Sequence, residues 1–378
     1  MLPLNWQRVR LGDICEFGNG GAYETLIVEN GDFKLISLNS IDIDGNLKNT
    51  MKRVNFYDNS LKQDDIIMVL SDVAHGDFLG LCAVIPSNDY VLNQRMGRLR
   101  IRNDCINILF LRLYINANQK YFKMQGQGSS QLNLSKKAIE DFEILLPPLN
   151  EQSAIANILS ALDRYLYALD ALILKKEGVK KALSFELLSQ RKRLKGFNQN
   201  WQRVRLGDIA EIKRGVRITK NELDVFGKYP VVSGGVGFLG YTNNFNRYEN
   251  TITIAQYGTA GFVNWQNQKF WANDVCFCVY PNKDVIKNIF LYYFLKVNQN
   301  YLYEISNRNA TPYSISKDKI LDFEIPIPPL NEQIAIANIL SDLDNEIASL
   351  KNKKRQFENI KKALNHDLMS AKIRVLEK

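Results

Sequence analysis

The chain has 378 residues, of which 46% are hydrophobic and 24% are charged, and this composition is typical of an ordinary globular protein. No run of about 18 uncharged apolar residues and no export signal is visible, so we expect no membrane partner and a cytoplasmic location. The net charge of +9 is compatible with a polyanionic partner, but residues 1–149 hold 16 basic and 17 acidic side chains. Total charge therefore does not establish such a partner.

The first part of the chain predicts a mixed α/β domain. It opens with the segment NWQRVRLGDI, from Asn5 to Ile14. Short apolar runs bounded by Gly, Asn, Asp and Pro then predict strands, and a longer run with apolar residues at helical spacing predicts a helix. The predicted elements are strands at 33–38, 65–70, 80–85 and 97–102, a helix at 106–123, a Gly/Gln/Ser loop at 125–133 and a closing strand at 138–148.

The segment LPPLNEQSAIANILSALD, from Leu146 to Asp163, leads into a long predicted helix. Asn150 follows Pro-Pro-Leu and is predicted to cap the helix, and Glu151 in the first turn suits the helix dipole. Gly196 predicts the end of the segment. Apolar residues recur at spacings of 4, 3, 4 and 3, which is the pattern of coiled-coil a and d positions. They are Ile155, Leu159, Leu162, Leu166 and Leu169.

The opening segment, the variable block and the helix then recur in the second half of the chain. The opening segment returns unchanged from Asn200 to Ile209, and the helix-leading segment returns from Ile327 to Asp344 with 15 of 18 positions identical. Such self-similarity sets the architecture. Different residues between the two segments predict the same order of elements: strands at 251–258, 260–265 and 274–280, a helix at 285–297, a loop at 306–314 and a closing strand at 320–329. The second helix repeats the apolar pattern at Ile336, Leu340, Leu343, Ile347 and Leu350.

The two long helices are expected to pair with each other. A helix of about 40 residues would be about 60 Å long, and a polar helix of that length has to bury its one apolar stripe. Because a whole domain separates the two copies, we predict that they pack antiparallel as an intramolecular coiled coil. The alternative is that each is an ordinary amphipathic helix packed on its own domain.

The sequence lacks the residues of the common catalytic and metal sites. The only two histidines, His75 and His366, have no counterpart in the other module, so neither a histidine metal site nor a Ser/His/Asp triad is expected. No Gly-rich sequence ends in Lys-Ser or Lys-Thr, as phosphate-binding loops do. The five cysteines are scattered and are predicted to be buried free thiols. We therefore predict no catalytic residue and no metal site in this chain.

The doubled signature resembles the DNA specificity subunit of type I restriction–modification systems, and the resemblance covers the whole chain. Its pattern is an opening Trp-x-x-x-x-Leu-Gly-Asp and a helix with Pro-Pro-Leu-x-Glu-Gln-x-x-Ile-Ala-x-x-Leu. The first copy has Trp6, Leu11, Gly12, Asp13, Pro147, Pro148, Leu149, Glu151, Gln152, Ile155, Ala156 and Leu159. The second has Trp201, Leu206, Gly207, Asp208, Pro328, Pro329, Leu330, Glu332, Gln333, Ile336, Ala337 and Leu340.

The resemblance implies two target recognition domains joined by two long antiparallel helices with pseudo-two-fold symmetry. The implied division is recognition domain 1 at 1–149, a central spacer helix at 150–196, recognition domain 2 at 197–330 and a C-terminal spacer helix at 331–378. Each domain would read one half of a split sequence in double-stranded DNA. The helices would set the spacing and dock two modification subunits through the ten seam residues named above.

The resemblance also implies that this chain is not an enzyme and binds no cofactor. The modification subunits would bind S-adenosylmethionine and methylate adenine, and separate restriction subunits would use ATP and Mg²⁺. Two unlike domains should read two unlike half-sites, so the target is expected to be asymmetric. An orphan DNA-binding protein or a scaffold of the same fold without active partners remains an alternative.

Base reading requires Arg, Lys, Asn or Gln side chains that reach the edges of the bases, and the two loops at equivalent places differ in sequence. Such loops are where readers of different half-sites should vary. In the first block the candidate DNA-binding residues are Arg95, Arg98, Gln125, Gln127, Ser129 and Gln131. In the second block they are Lys213, Arg214, Arg217, Gln256, Tyr257, Arg308, Asn309 and Tyr313. For each of them the alternative is a solvated surface side chain.

Overall fold

The structure is a computed structural model that describes residues 5–73, 76–309 and 311–376. Its contacts divide the chain into two compact units, Met1–Leu169 with Lys353–Lys378 and Asp170–Asn352. Each unit contains one of the two mixed α/β blocks together with a part of both long helices.

In the first unit the variable block is built from short strands and short helices. The strands are β1 (Gln7–Arg10), β2 (Cys15–Asn19), β3 (Phe33–Ile36), β4 (Lys52–Val54), β5 (Ile66–Val69), β6 (Ser71–Val73), β7 (Cys82–Val84), β8 (Tyr90–Leu92), β9 (Met96–Ile101), β10 (Gln131–Asn133) and β11 (Glu143–Leu146). The helices are α1 (Leu11–Ile14), α2 (Ile108–Ala117), α3 (Gln119–Gln125), α4 (Lys136–Glu140) and the beginning of α5 (Leu149–Leu188), with two 3₁₀ turns at Glu24–Leu26 and Leu38–Ser40.

The strands of the first unit form four small sheets. The largest has the order β2-β9-β5-β7 and is antiparallel throughout, and a second sheet, β4-β3-β8, contains one parallel pair. Strand β1 pairs with β11, and β6 pairs with β10. The main core lies between the large sheet and the helices, where Phe110 and Phe122 are fully buried.

The second unit repeats this order. Its strands are β12 (Gln202–Arg205), β13 (Ala210–Arg214), β14 (Tyr229–Val232), β15 (Gly240–Thr242), β16 (Thr251–Ala255), β17 (Val263–Gln266), β18 (Trp271–Ala272), β19 (Cys276–Pro281) and β20 (Glu324–Ile327). Its helices are α6 (Leu206–Ile209), α7 (Asn288–Val297), α8 (Gln299–Glu304), α9 (Lys317–Leu321) and the beginning of α10 (Leu330–Met369), with a 3₁₀ turn at Lys220–Glu222.

The sheets of the second unit match those of the first. The antiparallel order β13-β19-β16-β17 corresponds to β2-β9-β5-β7, and β15-β14-β18 corresponds to β4-β3-β8 with its parallel pair. Strand β12 pairs with β20 as β1 pairs with β11. The expectation of two similar mixed α/β domains is therefore confirmed.

Both long helices begin at a Pro-Pro-Leu sequence, one residue before the predicted cap. The carbonyl oxygen of Pro148 accepts hydrogen bonds from the backbone N–H groups of Glu151 and Gln152, at 2.9 and 3.0 Å. Asn150 therefore lies inside the first turn, and its prediction as the N-cap is wrong. A proline ends the preceding strand because it has no N–H to donate, and its fixed φ suits the start of a helix. Helix α5 ends at Leu188, eight residues before Gly196.

The two helices run antiparallel where they pack in each unit. In the first unit Lys361 pairs with Asp163, and the rings of Phe357 and Tyr165 lie 4.7 Å apart between centroids. In the second unit Lys176 pairs with Glu346 at 2.8 Å and Lys180 pairs with Asp344. In every case a residue further along α5 contacts a residue earlier in α10. The prediction that the two copies pack antiparallel is confirmed.

The ten seam residues are all buried or half-buried. Ile155, Leu159, Leu169, Ile336, Leu340 and Ile347 are buried, and Leu162, Leu166, Leu343 and Leu350 are half-buried. Ile155 and Leu159 share a core with Phe110 of the domain and with Leu368 at the end of α10. The first part of each helix therefore packs both on its own domain and on the other helix, so the two alternatives drawn from the sequence occur together.

Several predicted elements have different bounds in the structure. The predicted closing strand at 138–148 is a helix, α4, followed by the shorter strand β11, because the Ser135 hydroxyl caps α4 by accepting from the Ala138 N–H at 3.2 Å. The same break separates α9 from β20, where Ser316 is the cap. The predicted helix at 106–123 is interrupted at Asn118, which ends α2 and begins α3.

The prediction of buried free cysteines is correct for four of the five residues. All five cysteines are free and four are buried, but Cys105 is exposed, contrary to the prediction. Burial raises the pKa of the Cys15 thiol to about 12. Within the described ranges, no helix is both long enough and apolar enough to cross a membrane.

Candidate nucleic-acid interface

A buried carboxylate anchors the start of each long helix to its domain. Oε2 of Glu151 accepts hydrogen bonds from the indole Nε1 of Trp6 at 3.2 Å and from Nη2 of Arg374 at 2.8 Å. The Arg374 guanidinium, and secondarily the Trp6 indole, hold the pKa of Glu151 below its ordinary value. Glu332 makes the same contacts with Trp201 at 3.1 Å and Arg193 at 2.7 Å. These contacts give a structural reason for the repeated tryptophan and glutamate.

The glutamine that follows each of these glutamates fastens a loop beside the helix. The Oε1 atom of Gln152 accepts from the backbone N–H of Asn107 at 2.8 Å, and its Nε2 donates to the carbonyl oxygens of Cys105 and Pro147. Gln333 makes the equivalent three hydrogen bonds, to Lys287, Val285 and Pro328. The repeated segments are thus engaged in holding each domain on its helix, and the variable blocks carry the differing surfaces.

In the first unit the candidate reading loop is residues 126–134, which we call loop 1. Its two ends are joined by backbone hydrogen bonds between Gln127 and Asn133, at 2.9 and 3.0 Å. Its last strand, β10, pairs with β6, and the Ser71 hydroxyl donates to Oδ1 of Asn133 at 2.6 Å. Gly128 has φ +125°, a conformation that disfavours any side chain there. Loop 1 is therefore a closed turn fixed to the edge of β6.

In the second unit the equivalent loop is described at residues 307–309 and 311–315, which we call loop 2. Asn307 and Ser314 exchange backbone hydrogen bonds at 2.7 and 3.1 Å, as Gln127 and Asn133 do in loop 1. The Gly258 N–H donates to the carbonyl oxygen of Tyr313 at 3.0 Å. Loop 2 thereby lies against Tyr257, so the structure brings these two groups of predicted residues together.

The hydrogen bonds at the loop ends also show which positions correspond. The Leu134 N–H donates to the Leu70 carbonyl oxygen, and the Ile315 N–H donates to that of Gln256. Gln256 therefore stands where the first unit has Leu70. It is only 6% exposed, and its Oε1 has no hydrogen-bond partner within the described ranges. A buried amide oxygen without a partner is costly and calls for a functional or local explanation.

Most of the predicted DNA-binding residues are on the surface. Gln125 is the last residue of α3 and so lies just before loop 1, whereas Gln131 lies within loop 1 as the first residue of β10. Arg98 and Gln131 are half-buried and Gln256 is buried. The exposed candidates are Arg95, Gln125, Gln127, Ser129, Lys213, Arg214, Arg217, Tyr257, Arg308, Asn309 and Tyr313.

Arg98 is the candidate that is most engaged inside its own domain. Its Nη2 pairs with Glu16 at 2.5 Å across the β2-β9 pair, its Nη1 donates to the Ser60 carbonyl oxygen at 3.1 Å, and its side chain is only 13% exposed. In the second unit Lys213 pairs with Glu211 at 3.0 Å, and the Arg214 guanidinium lies 6.0 Å from the Phe277 ring centroid. Lys213 and Arg214 are thus held along strand β13, and Arg217 lies beyond its end.

Sequence reasoning did not select Ser71, Asn133 or Tyr303, which help to shape the two loops. Asn133 lies in the quoted loop and its alternation with Gln131 could have drawn attention to it. Ser71 and Tyr303 are distant in sequence from the residues they contact, and no local pattern indicates them. His75, one of the two histidines, lies outside the described residues.

In the described parts of the chain, no group of three or more His, Cys, Asp or Glu side chains is placed to hold a metal ion. The groups on the two loops are amides, hydroxyls, a guanidinium and a phenol. Such groups donate and accept hydrogen bonds, as the recognition of base edges requires.

Comparison with known proteins places this geometry in one group. The family described as "Type I restriction modification DNA specificity domain" matches twice, at residues 3–176 and 198–359. The type I restriction enzyme MjaVIII specificity subunit of Methanocaldococcus jannaschii is 23% identical over 409 residues, covering 99% of this chain and 94% of that one.

Two solved structures share the fold. The crystal structure of a type I restriction–modification S subunit from M. genitalium has a TM-score of 0.72 at 19% identity and covers 97% of this chain and 96% of its own. A chain from the work on complex assembly and conformational transition of the type I R-M system has a TM-score of 0.59 at 18% identity, with 98% of both chains covered. At these identities the likeness concerns the fold alone.

Proposed function

Because the chain belongs to the type I restriction–modification DNA specificity family, we propose that it is the sequence-recognition subunit of a type I restriction–modification enzyme. Its target is double-stranded DNA, and its role is recognition rather than catalysis. The chemistry of the two loops supports this proposal, since their amides, hydroxyls and guanidinium suit base edges and phosphates.

Each recognition domain reads one half of a bipartite target. The observation that carries this assignment is the pair of equivalent loops. Loop 1 and loop 2 are closed by the same backbone hydrogen bonds, yet loop 1 carries Gln127 and Ser129 where loop 2 carries Asn307 and Asn309. A shared scaffold with unlike side chains suits two unlike half-sites, so the target is asymmetric.

The paired helices fix the gap between the half-sites and dock two modification subunits. This role of the helices is supported by the antiparallel packing of α5 and α10, with ion pairs such as Lys176–Glu346 between them. A paired, salt-bridged helix is stiffer than a single one and suits a spacer. The ten seam residues act in this pairing and in holding the docking surface.

The cofactors of the reaction belong to partner subunits. The modification subunits bind S-adenosylmethionine and methylate adenine, and restriction subunits use ATP and Mg²⁺ for translocation and cleavage. This chain supplies none of these steps and works with its partners in the cytoplasm. The membership of the chain in the DNA specificity family supports a role in recognition rather than catalysis.

The test is to co-express the chain with its modification subunits in a strain without adenine methylation and to map methylated adenines by single-molecule sequencing. We expect one asymmetric bipartite motif with a fixed gap, and no methylation when this chain or the modification subunit is omitted. Methylation by this chain alone, or a symmetric uninterrupted motif, would contradict the proposal.

A further inference from the structure

We propose that Arg308 reads a guanine in the half-site recognised by the second domain, with its guanidinium presented by Tyr303 and Tyr313. This inference rests on the proposed function, since it names the base that one loop of the recognition domain selects. It concerns a single side chain of loop 2, for which loop 1 has no equivalent.

Two aromatic rings flank the Arg308 side chain. Its Cζ lies 5.4 Å from the ring centroid of Tyr303 and 5.2 Å from that of Tyr313. Both distances are within the range in which a guanidinium is attracted to an aromatic face. The guanidinium is therefore within cation–π distance of two rings, although the residue itself is exposed.

The Nε atom of the Arg308 guanidinium is hydrogen-bonded, and its two terminal nitrogens are not bonded within the described ranges. Nε of Arg308 donates to the carbonyl oxygen of Tyr303 at 3.1 Å, which orients the plane of the group. Within the described ranges, this is the one hydrogen bond that Arg308 makes, and it takes part in no ion pair there. The two terminal nitrogens thus form an open fork, unlike those of Arg98, which bond Glu16 and Ser60.

An open, oriented guanidinium fork matches one base edge better than the others. In the major groove guanine presents two acceptors, O6 and N7, and an arginine can bond both at once. Adenine presents N7 beside an N6 amino donor, which would face a second donor. Pyrimidines offer no pair of adjacent acceptors there, so the fork discriminates in favour of guanine.

The loop holds the fork before DNA binds. Ordering a free arginine side chain costs conformational entropy, and a group already held in place loses less on binding. Tyr303 lies at the end of α8 and Tyr313 is bonded through its carbonyl oxygen to Gly258, so both flanking rings stand on fixed backbone. Tyr303 and Tyr313 are positioning residues in this account.

Loop 1 lacks this device. Gln127 corresponds to Asn307, because the two make equivalent hydrogen bonds at the ends of their loops. The residue after Gln127 is Gly128, so the first domain has no side chain where the second has Arg308. The arginine-dependent guanine is therefore confined to one half of the target. The first half-site serves as an internal control in every experiment on Arg308.

The first experiment selects binding sites from a random duplex library with the complex of this chain and its modification subunits. We expect the wild-type complex to require guanine at one position of one half-site. In Arg308→Ala, which removes the guanidinium, the preference for that guanine should fall about tenfold to a hundredfold. The other half-site and the remaining positions should be unchanged.

The second experiment tests the contact itself in a duplex carrying the selected sequence. Replacing that guanine by 7-deazaguanine removes the N7 acceptor and should weaken wild-type binding about tenfold. The same replacement should have little effect on the Arg308→Ala complex. Inosine, which keeps O6 and N7, should bind the wild-type complex like guanine.

Tyr313 provides the control for positioning. Tyr313→Phe keeps the ring and should retain the guanine preference, whereas Tyr313→Ala should lose part of it without loss at the first half-site. An unchanged guanine preference in Arg308→Ala, or equal binding of the 7-deazaguanine duplex by the wild type, would overturn the inference. A wild-type complex that selects no bipartite sequence would instead overturn the proposed function, so the two failures are distinguishable.

Discussion

The carboxylate of Glu151 accepts two hydrogen bonds from the guanidinium of Arg374, at 3.1 and 2.8 Å, although 223 residues separate the two along the chain. Arg374 follows the end of α10, and Glu151 lies in the first turn of α5. Arg193, which follows the end of α5, makes the same contacts with Glu332 in the first turn of α10. In each unit, an arginine beyond the end of one long helix thus pairs with the glutamate in the first turn of the other.

Each of these arginines is predicted to stabilise one unit. In Arg374→Ala the carboxylate of Glu151, whose side chain is 1% exposed, keeps only the Trp6 indole as a side-chain partner. We expect the free energy of unfolding of the first unit to fall, because the buried carboxylate loses its charged partner. Urea unfolding followed by fluorine NMR of 5-fluorotryptophan measures this, since Trp6 reports on the first unit.

Arg193→Ala is the matched control for that experiment. It should lower the unfolding midpoint reported by Trp201, which donates to Glu332, and leave that of Trp6 unchanged. Arg374→Lys keeps the charge without the second hydrogen bond and should cost less than Arg374→Ala. Equal shifts of both tryptophan signals in each single variant would show that the pairs do not act locally.

The Glu151 pair should also make the first unit sensitive to acid. Arg374 lowers the folded-state pKa of Glu151 below its unfolded value of about 4.3. A carboxylate with a lowered folded-state pKa contributes its full stabilisation at any pH above its unfolded-state pKa. That stabilisation is lost as the pH falls through the folded-state pKa. We therefore expect the advantage of wild type over Glu151→Gln to be constant near neutral pH and to shrink below about pH 4.3.

Urea midpoints from the Trp6 signal between pH 3 and pH 7 provide the measurement. Glu29→Gln, at an exposed position of the same unit, is the control for the general effect of removing a carboxylate. The idea fails if the difference between wild type and Glu151→Gln stays the same across this range.

The repeated segments and the helical seam could be predicted from the sequence because each depends on a local or periodic pattern. The spacing of Ile155, Leu159 and Leu162 indicates a helix with one apolar stripe wherever it packs. The duplication then indicates what the stripe packs against. The exact start of the helix was missed because the Pro148 carbonyl, rather than the Asn150 side chain, caps it.

The remaining features depend on partners that are distant in sequence. Arg98 looks like a DNA-binding arginine in the run LNQRMGRLR, and only the pairing of β2 with β9 brings Glu16 to it. Gln256 lies in a run that reads as a strand, and its burial follows from the position of loop 2. No periodicity carries such information, so the candidate interface was predicted as a set of segments and not as a geometry.

Gln131 should affect only the half-site read by the first domain. It lies in β10, which pairs with β6, and its Nε2 donates to Oδ1 of Asn133 at 3.3 Å. In Gln131→Ala we expect base preference to relax at one position of that half-site, at a cost of about 1–3 kcal/mol. Site selection from a random duplex library with the modification complex measures both halves together.

Ser129→Ala is a second variant of the same loop, because Ser129 is exposed in loop 1. It removes a smaller polar group than Gln131→Ala does. It should shift preference in the same half-site or leave it unchanged. If Gln131→Ala weakened both half-sites equally, the assignment of one domain to each half would be wrong.

The spacer role of α5 and α10 predicts the effect of lengthening both helices. One heptad inserted after Leu169 in α5 and one after Asn352 in α10 keeps the a and d pattern in register. Seven residues add about 10.5 Å of helix, which is close to three base pairs of duplex. We expect the preferred gap between the half-sites to lengthen by about three base pairs.

The lengthened protein should also bind its new target more weakly than the wild type binds its own. Three base pairs rotate one half-site by about 100° around the duplex, because a turn holds about 10.5 base pairs, whereas a heptad leaves a helix face almost unrotated. A heptad inserted in α5 alone is the control, since it breaks the pairing of Lys176 with Glu346 and should abolish a defined gap. Site selection that returned the wild-type gap for the doubly lengthened protein would show that the helices do not set the distance.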